Sequence, residues 1–409
     1  MEHYPRVYIK KGRDIPLFAG HPWIFSKALQ EEYRLPAGEL VAVYSATNEP
    51  LGIGMYNPKT SIRVRMLARE TAVCIDHDFF IRRFSSLDDD KRPLLPPETT
   101  GYRLVHGDAD YFPGLIVDRY GEVCVFQIHT AGMDRMRNEI IEALRTAFSP
   151  RAIVERSDIE ARKREGLGVL PVAVHEGSID GVVPFTENGL HFFADVVDGQ
   201  KTGFYLDQRN ARMRVAGLVR GKSVLNLFSY TGALSVYAAR GGAAEIVMVD
   251  SSKEALSLAQ RHFEANGFSF SARYRCMHGN VFDILPRLIE EQKTYDCVVC
   301  DPPAFAKSLE SVARAKTAYL SANRQCCMLL REGGILVTSS CSGRLTLDDF
   351  SGIIRAAAFQ AGRDLHIIDV LGHPYDHTDR LSFAEGRYLK TLIARAVGGN
   401  VSSRRFASV

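Results

Sequence analysis

Alternating apolar and polar positions divide the chain into three stretches of different texture. In the first, "GELVAVYSATNEPLGIGMYNP" (residues 38–58) alternates around turn signals at Asn48-Glu49-Pro50 and Asn57-Pro58. Residues 61–69 alternate again, which sets Arg63 and Arg65 on one face of a strand. The pattern predicts a small all-β unit over residues 1–75. Trp23, the only tryptophan, stands beside glycine and proline in "AGHPWIF", a setting that reads as a packed corner rather than a binding platform. Asp88, Asp89 and Asp90, followed by Pro93, Pro96 and Pro97, read as a connection. Past them come strands ("GLIVDRYG", "EVCVFQIH"), a helical period over residues 134–148, and more strands ("AIVERSD", "GVVPFTENGLHFFADV"). This is an α+β unit, expected within residues 76–195.

From Gly221 the rhythm changes to strand, helix, strand, which predicts a parallel, doubly wound sheet in a unit spanning residues 196–400. Its strands are "SVLNLFS", "EIVMVD", "ARYRCMH", "YDCVVCD" and "GGILVTSS", with "LHIIDVLG" and "RYLKTLIARAV" added near the end. Among the helices, residues 253–266 are the clearest, closed by Asn266-Gly267.

Bulk composition adds little. A chain of 409 residues, 46% hydrophobic and 24% charged, is a soluble globular protein of two or three domains. No apolar stretch is long enough to span a bilayer, and "MEHYPRVYIKKGRD" has no apolar core of a secretory signal. Eight cysteines without small-scaffold spacing point to reduced thiols and a cytoplasmic location. A net charge of +3 permits an anionic partner without requiring one. Basic clusters recur in "YIKKGRD", "RMRNEIIEALR", "EARKREG" and "SSRRF", each readable also as a solvated face.

Ligands of an open parallel sheet bind at the carboxyl ends of its strands. The first strand is followed by "FSYTGALS", with the single turn glycine Gly232. The three glycines of a dinucleotide site and the phosphate-cradling GxxxxGK[ST] are both absent. Asp250 ends the second strand, 24 residues after Asn226, where a carboxylate can accept from ribose hydroxyls; it could instead cap the next helix. Asn280 follows the third strand, within reach of an adenine edge. A nucleoside without phosphates points to S-adenosylmethionine.

The fourth strand ends in "DPPAFAKS", where two prolines stiffen a lip that carries Asp301; Phe305 could stack on a base. The fifth ends in a thiol, "GGILVTSSCSG", at Cys341. Neighbouring strands lie about 4.8 Å apart, so Asp301 and Cys341 are expected to face one crevice. That pair suits carbon methylation of a pyrimidine. A thiolate adding to C6 makes C5 enamine-like, and a carboxyl group can protonate or hydrogen-bond N3. Cys297 and Cys300 form a C-x-x-C inside the fourth strand and read as core, as do Cys326 and Cys327 on a helix; no metal site is expected.

These motifs resemble the bacterial large-subunit ribosomal RNA cytosine-C5 methyltransferases that carry an N-terminal PUA domain, over nearly the whole chain. "FAGHPWIFSKAL" and "PLGIGMYNPKTSIRVRML" are similar to the PUA part, "RLVHGDADYFPGLIVDRYG" to the middle domain. "DGQKTGFYLDQRNAR", "LNLFSYTGALS", "DPPAFAKS", "SSCSG" and "DHTDRLSFAEGRYLK" are similar to the methyltransferase signatures. The resemblance implies a multidomain α/β chain: a β PUA domain, a central α+β domain, and a Rossmann-like, seven-stranded class I methyltransferase domain. It implies 5-methylcytosine formation in ribosomal RNA with Cys341 and Asp301 as the catalytic pair, and a lid over residues 201–209. The expected cofactor set is Tyr205, Asp207, Gln208, Arg209, Asn226, Phe228, Ser229, Tyr230, Thr231, Gly232, Asp250, Ser251, Asn280, Val281, Asp301 and Pro302. Arg209 suits the methionine carboxylate because a guanidinium pairs with two oxygens. Lys10, Lys11, Arg13, Arg63 and Arg65 are expected on RNA phosphates, with Pro303 and Phe305 at the target base. Many RNA cytosine-C5 enzymes carry a second cysteine where this chain has Ala304, so another group must remove the C5 proton. Guanine-nitrogen methylation without an adduct, an inactive RNA-binding assembly factor, and a homodimer stay open.

Overall fold

The structure is a computed structural model that describes residues 4–305 and 312–398. Ala306, Lys307 and Ser308 of the fourth-strand motif, and the basic run "SSRRF", lie outside the described residues. The chain forms two compact units. One holds the residues up to Leu206 together with Tyr375–Gly386; the other holds Asp207–Pro374 and the chain from Arg387 on.

In the first unit, the alternating segments near the N-terminus pair as a five-stranded sheet in the order Arg6–Tyr8, Glu39–Tyr44, Pro50–Tyr56, Ile62–Ala68, Trp23–Phe25. A second five-stranded sheet runs Ala173–Glu176, Ala152–Glu155, Val123–Ile128, Leu115–Tyr120, Gly101–His106. Val183–Glu187 and Leu190–Ala194 make a hairpin turned by Asn188 and Gly189, at φ 53° and 73°. Both central residues of this tight turn need positive φ, which asparagine and glycine tolerate. Trp23 is a packed corner: its ring meets Phe383 at 4.8 Å and its Nε1 donates to Asp108 at 2.7 Å.

The acidic stretch read as a connection is the end of a helix, His77–Lys91. Asp76 caps it by accepting from the Phe79 amide, and Phe79, Phe80 and Phe84 are its buried face. Asp88 lies in the last turn, buried, where the Tyr102 hydroxyl donates to it.

The second unit is built on a seven-stranded sheet, labelled here β1 (Ser223–Leu227), β2 (Glu245–Asp250), β3 (Tyr274–His278), β4 (Tyr295–Cys300), β5 (Leu330–Ser340), β6 (Arg363–Leu371) and β7 (Lys390–Gly398). Their spatial order is β3-β2-β1-β4-β5-β7-β6. The first five strands run parallel, and β7 inserts antiparallel between β5 and β6. The helices are α1 (Arg209–Ala216), α2 (Ala233–Arg240), α3 (Lys253–Ala265), α4 (Val281–Glu290), α5 (Val312–Met328) and α6 (Leu347–Gln360). Leu225, Val247, Val298 and Leu336 at the centre of the sheet are fully buried, which explains their continuous apolar runs. Each such side chain contributes about 1.5–3 kcal/mol relative to exposure. Cys297, Cys300, Cys326 and Cys327 belong to this interior, as expected. No helix among the described residues is long and apolar enough to cross a membrane.

Candidate active site

The order reverses between β1 and β4, so the crevice past the carboxyl ends opens beside β1. The loop from β1 into α2 is shaped by three left-handed residues, Phe228 (φ 56°), Tyr230 (φ 47°) and Gly232 (φ 69°). A left-handed tyrosine or phenylalanine is costly and persists only where its surroundings fix it. Here the Tyr230 amide donates to Asp250 Oδ2 at 2.7 Å, and the Ser229 amide to the Val249 carbonyl at 3.0 Å. A Cβ on Gly232 would stand 2.8 Å from that of Ala259, so glycine is required for α2 to approach α3. The buried His262 holds the loop from beneath: its Nδ1 lies 2.8 Å from the Thr231 carbonyl, which can only accept.

Asp250 does not cap α3. Ser252 does, through its bond from the Ala255 amide, while Asp250 accepts from the Tyr230 and Ser252 amides at the crevice rim. Ser251 beside it is exposed. Asn280 is exposed and caps α4 through Oδ1, which leaves its amide NH2 group for a ligand edge; Val281, next to it, is buried core. Asn226 turns inward, its Nδ2 donating to Ser235 Oγ at 2.9 Å, so it ties β1 to α2. Asp250, Ser251 and Asn280 thus meet the left-handed loop at the ends of three adjacent strands, an arrangement that fits a nucleoside.

Cys300 pairs with Thr338, so Asp301 stands one residue and Cys341 three residues past that rung, on neighbouring parallel strands. Gln208 Nε2 donates to Asp301 Oδ2 at 2.9 Å, and the Tyr388 hydroxyl donates to Asp207 Oδ2 at 2.7 Å. Arg209 is among the largest fully buried side chains. Tyr205 belongs to the first unit, where its hydroxyl donates to Gln200 and Lys201 sits over its ring at 4.2 Å. Pro302 is buried and Pro303 exposed. Phe305 is half-buried, its ring 4.9 Å from Tyr319 and 6.0 Å from Phe282, so one side of it packs in an aromatic cluster.

Cys341 is half-buried, whereas burial pushes the Cys297 and Cys327 thiols up to about 12 and keeps them protonated. Two neighbours of Cys341 are not among the expected site residues. Tyr319 on α5 is buried, accepts from Ser340 Oγ at 3.1 Å and lies within electrostatic reach of Cys341 and Asp301. Lys390, at the start of β7, stands opposite Ser340. Lys390 and Tyr388 both fall within the stretch "GRYLK".

In the first unit, Lys10, Lys11 and Arg13 are exposed. Arg63 and Arg65 differ from them. Arg63 Nη1 donates to the Asn57 and Pro58 carbonyls. Arg65 bridges Asp108 and Glu165, each at 3.2 Å, and lies over the Trp23 ring. Among the described residues no cluster of three or more ligating side chains could hold a metal.

Residues 176–395 match the family described as S-adenosylmethionine-dependent methyltransferase, and residues 7–69 match a PUA-like domain. "Ribosomal RNA large subunit methyltransferase I" of Aeromonas salmonicida is 38% identical over 392 residues, covering 95% of this chain and 99% of that protein. Its namesake in Shewanella amazonensis is 39% identical over 393 residues, with the same coverage. The crystal structure of SMU.776 complexed with SAH superposes with a TM-score of 0.83 at 26% identity, over 96% of this chain and 100% of that one. A SAM-dependent methyltransferase structure from Streptococcus mutans gives 0.81 at 26% identity and the same coverage.

Proposed function

We propose a function from one premise: this chain belongs to the S-adenosylmethionine-dependent methyltransferase family and carries an N-terminal PUA-like domain. Its substrate on this reading is large-subunit ribosomal RNA, the class named for its relatives, and its product is 5-methylcytosine. The observation that carries the base and the atom is a half-buried thiol, Cys341, just past the end of β5, which pairs in parallel with β4, the strand that Asp301 follows. S-adenosylmethionine supplies an electrophilic methyl group when bound. Asp250, Ser251, Asn280 and the Phe228–Gly232 loop would hold its nucleoside, and Gln208 and Arg209 its methionine end.

Cytosine C5 is a poor nucleophile. The Cys341 thiolate adds to C6, forming an S–C bond and moving electron density to C5, while Asp301 in its protonated form donates to N3 and disperses the charge. Once C5 carries the methyl group, loss of the C5 proton to a base expels the thiolate and restores the ring. Residue 304 is alanine and cannot supply that base. Mapping of the methylated base in RNA treated with the protein, by nuclease digestion and mass spectrometry, is expected to return 5-methylcytosine. A methylated guanine nitrogen would sink the assignment.

Cofactor grip can be tested apart from chemistry. Because Arg209 is 2% exposed, truncation would leave a void, so lysine is the cleaner change. Arg209→Lys keeps the charge but loses the fork, and should weaken S-adenosylmethionine binding by about 1.5–3 kcal/mol, the range for a charged hydrogen bond. Calorimetry at unchanged melting temperature checks this; wild-type affinity would reassign Arg209 to the interior of its own unit.

For the RNA, Lys10, Lys11 and Arg13 are the cations we place on phosphates, since they are exposed, whereas Arg63 and Arg65 are half-buried and Arg65 already pairs with two carboxylates. Neutralising all three should flatten the log–log salt dependence of binding by about 0.7 per lost contact, roughly 2 in total, if the RNA is single-stranded there. Filter binding across a salt series reads the slope, and an unchanged slope moves the RNA path elsewhere.

A further inference from the structure

Lys390 is 7% exposed, and its Nζ donates to two backbone carbonyls, those of Ser342 at 2.6 Å and Leu345 at 2.5 Å. Both lie in the turn that follows Cys341, and Lys390 itself stands opposite Ser340 in the β5–β7 ladder. A buried ammonium is costly unless negative charge lies beside it. No carboxylate makes an ion pair with Lys390 among the described residues. The nearby acid Asp349 on α6 is held by Lys316 of α5 at 2.7 Å. Of the other titratable groups at the turn, Cys341 precedes it, Arg344 belongs to it, Tyr388 ahead of β7 lies beside Gly343, and Tyr319 from α5 is within electrostatic reach of both Cys341 and Asp301.

We propose that Lys390 is the positioning residue of the Cys341 thiolate: it clamps the turn through two carbonyls and supplies the fixed positive charge that favours the ionised sulfur. This deepens, and rests on, the reading of Cys341 as the nucleophile. The argument is reciprocal. Burial lowers the pKa of Lys390, while the charges of Cys341 and Asp349 oppose that shift. An ionised Cys341 therefore completes the surroundings that two carbonyls leave short of a full negative charge. Tyr319, which burial keeps protonated, adds no competing anion. The thiol proton passes to solvent before the RNA arrives, and no other group changes state.

The test reads the sulfur directly. The full chain is alkylated with iodoacetamide, without RNA or cofactor, over about pH 6 to pH 10, and the Cys341 peptide is quantified by mass. An ordinary thiol titrates near 8.5; the wild-type midpoint is expected below about 7.5. Lys390→Met should raise it by about one unit or more and cut methyl transfer at neutral pH about tenfold, with the loss recovering as pH rises. Lys390→Arg should keep the low midpoint. A wild-type midpoint at or above about 8.5 overturns the proposal even if the methionine variant fails to fold. So does a folded Lys390→Met with an unchanged midpoint and activity lost at every pH, the pattern of a merely structural lysine. If Cys341→Ala retains activity while Lys390→Met still raises the midpoint, the nucleophile reading falls and the lysine–thiolate pairing stands.

Discussion

Cys341→Ala is expected to lose methyl transfer to ribosomal RNA by about 10³-fold or more while binding S-adenosylmethionine like wild type. Removing a nucleophile removes the route, so the residual rate is what positioning alone supplies. The structure makes the variant a fair one. Cys341 lies past the last residue of β5 and is half-buried, so losing one sulfur deletes no central core contact. Folding should be intact by melting temperature, and calorimetry with the cofactor separates binding from chemistry. Full activity in this variant would remove the adduct and leave nitrogen methylation, in which the Asp-Pro-Pro lip holds a base amine.

The second large effect is expected from Asp301→Asn. The exchange keeps shape, and the new amide oxygen can still accept from Gln208 Nε2, now 2.9 Å from Asp301 Oδ2. What it loses is the proton that the carboxyl group would deliver to N3. General acid–base contributions of this kind amount to about 10²–10⁴-fold, and a loss within that range is expected in single-turnover rate with little change in cofactor affinity. A wild-type rate would confine Asp301 to tethering Gln208. A large loss of cofactor affinity with a normal single-turnover rate would make it a binding residue only.

The central strands were legible because a strand buried on both faces must be apolar throughout; the edge strands β3 and β6, which are exposed or half-buried at most positions, were read from the alternation of strand and helix, and all seven runs are strands. Adjacency of Asp301 and Cys341 followed from the same rule, since the fourth and fifth strands of the alternation pair directly. Where side chains carry two compatible roles, the sequence was less telling. Asn226 had the right place for a ligand, but its amide donates to Ser235, and the cap that was the alternative role for Asp250 belongs to Ser252. Arg65 shares a strand face with Arg63, as the alternation required. Its charge is nonetheless met by Asp108 and Glu165, which lie 43 and 100 residues away. Charge patterning along the chain cannot reveal such distant partners. The helix His77–Lys91 was missed for a local reason: three aspartates before a proline cluster look like a loop unless the buried acceptor Asp88 has a known donor. Lys390 closes a stretch similar to a methyltransferase signature, but a lysine opening a strand looks like any strand-end charge until its carbonyl partners are seen.

The excursion of Tyr375–Gly386 into the first unit, between β6 and β7, has a consequence for modularity. The chain passes from one unit to the other at Leu206, at Pro374 and again at Gly386. Asp376 accepts from the Arg103 amide, and the Arg380 guanidinium donates to the Ala109 carbonyl, so the twelve-residue return is stitched to backbone laid down far earlier in synthesis. The catalytic half is therefore not a cassette that recombination could lift out with two cuts. A graft onto another RNA-binding module would have to replace this loop with a short β6–β7 turn, or carry along a segment whose hydrogen-bonding partners were left behind. During translation the first unit also lacks one of its own pieces until residues 207–374 of the second have been made, which couples completion of the first unit to synthesis of most of the second.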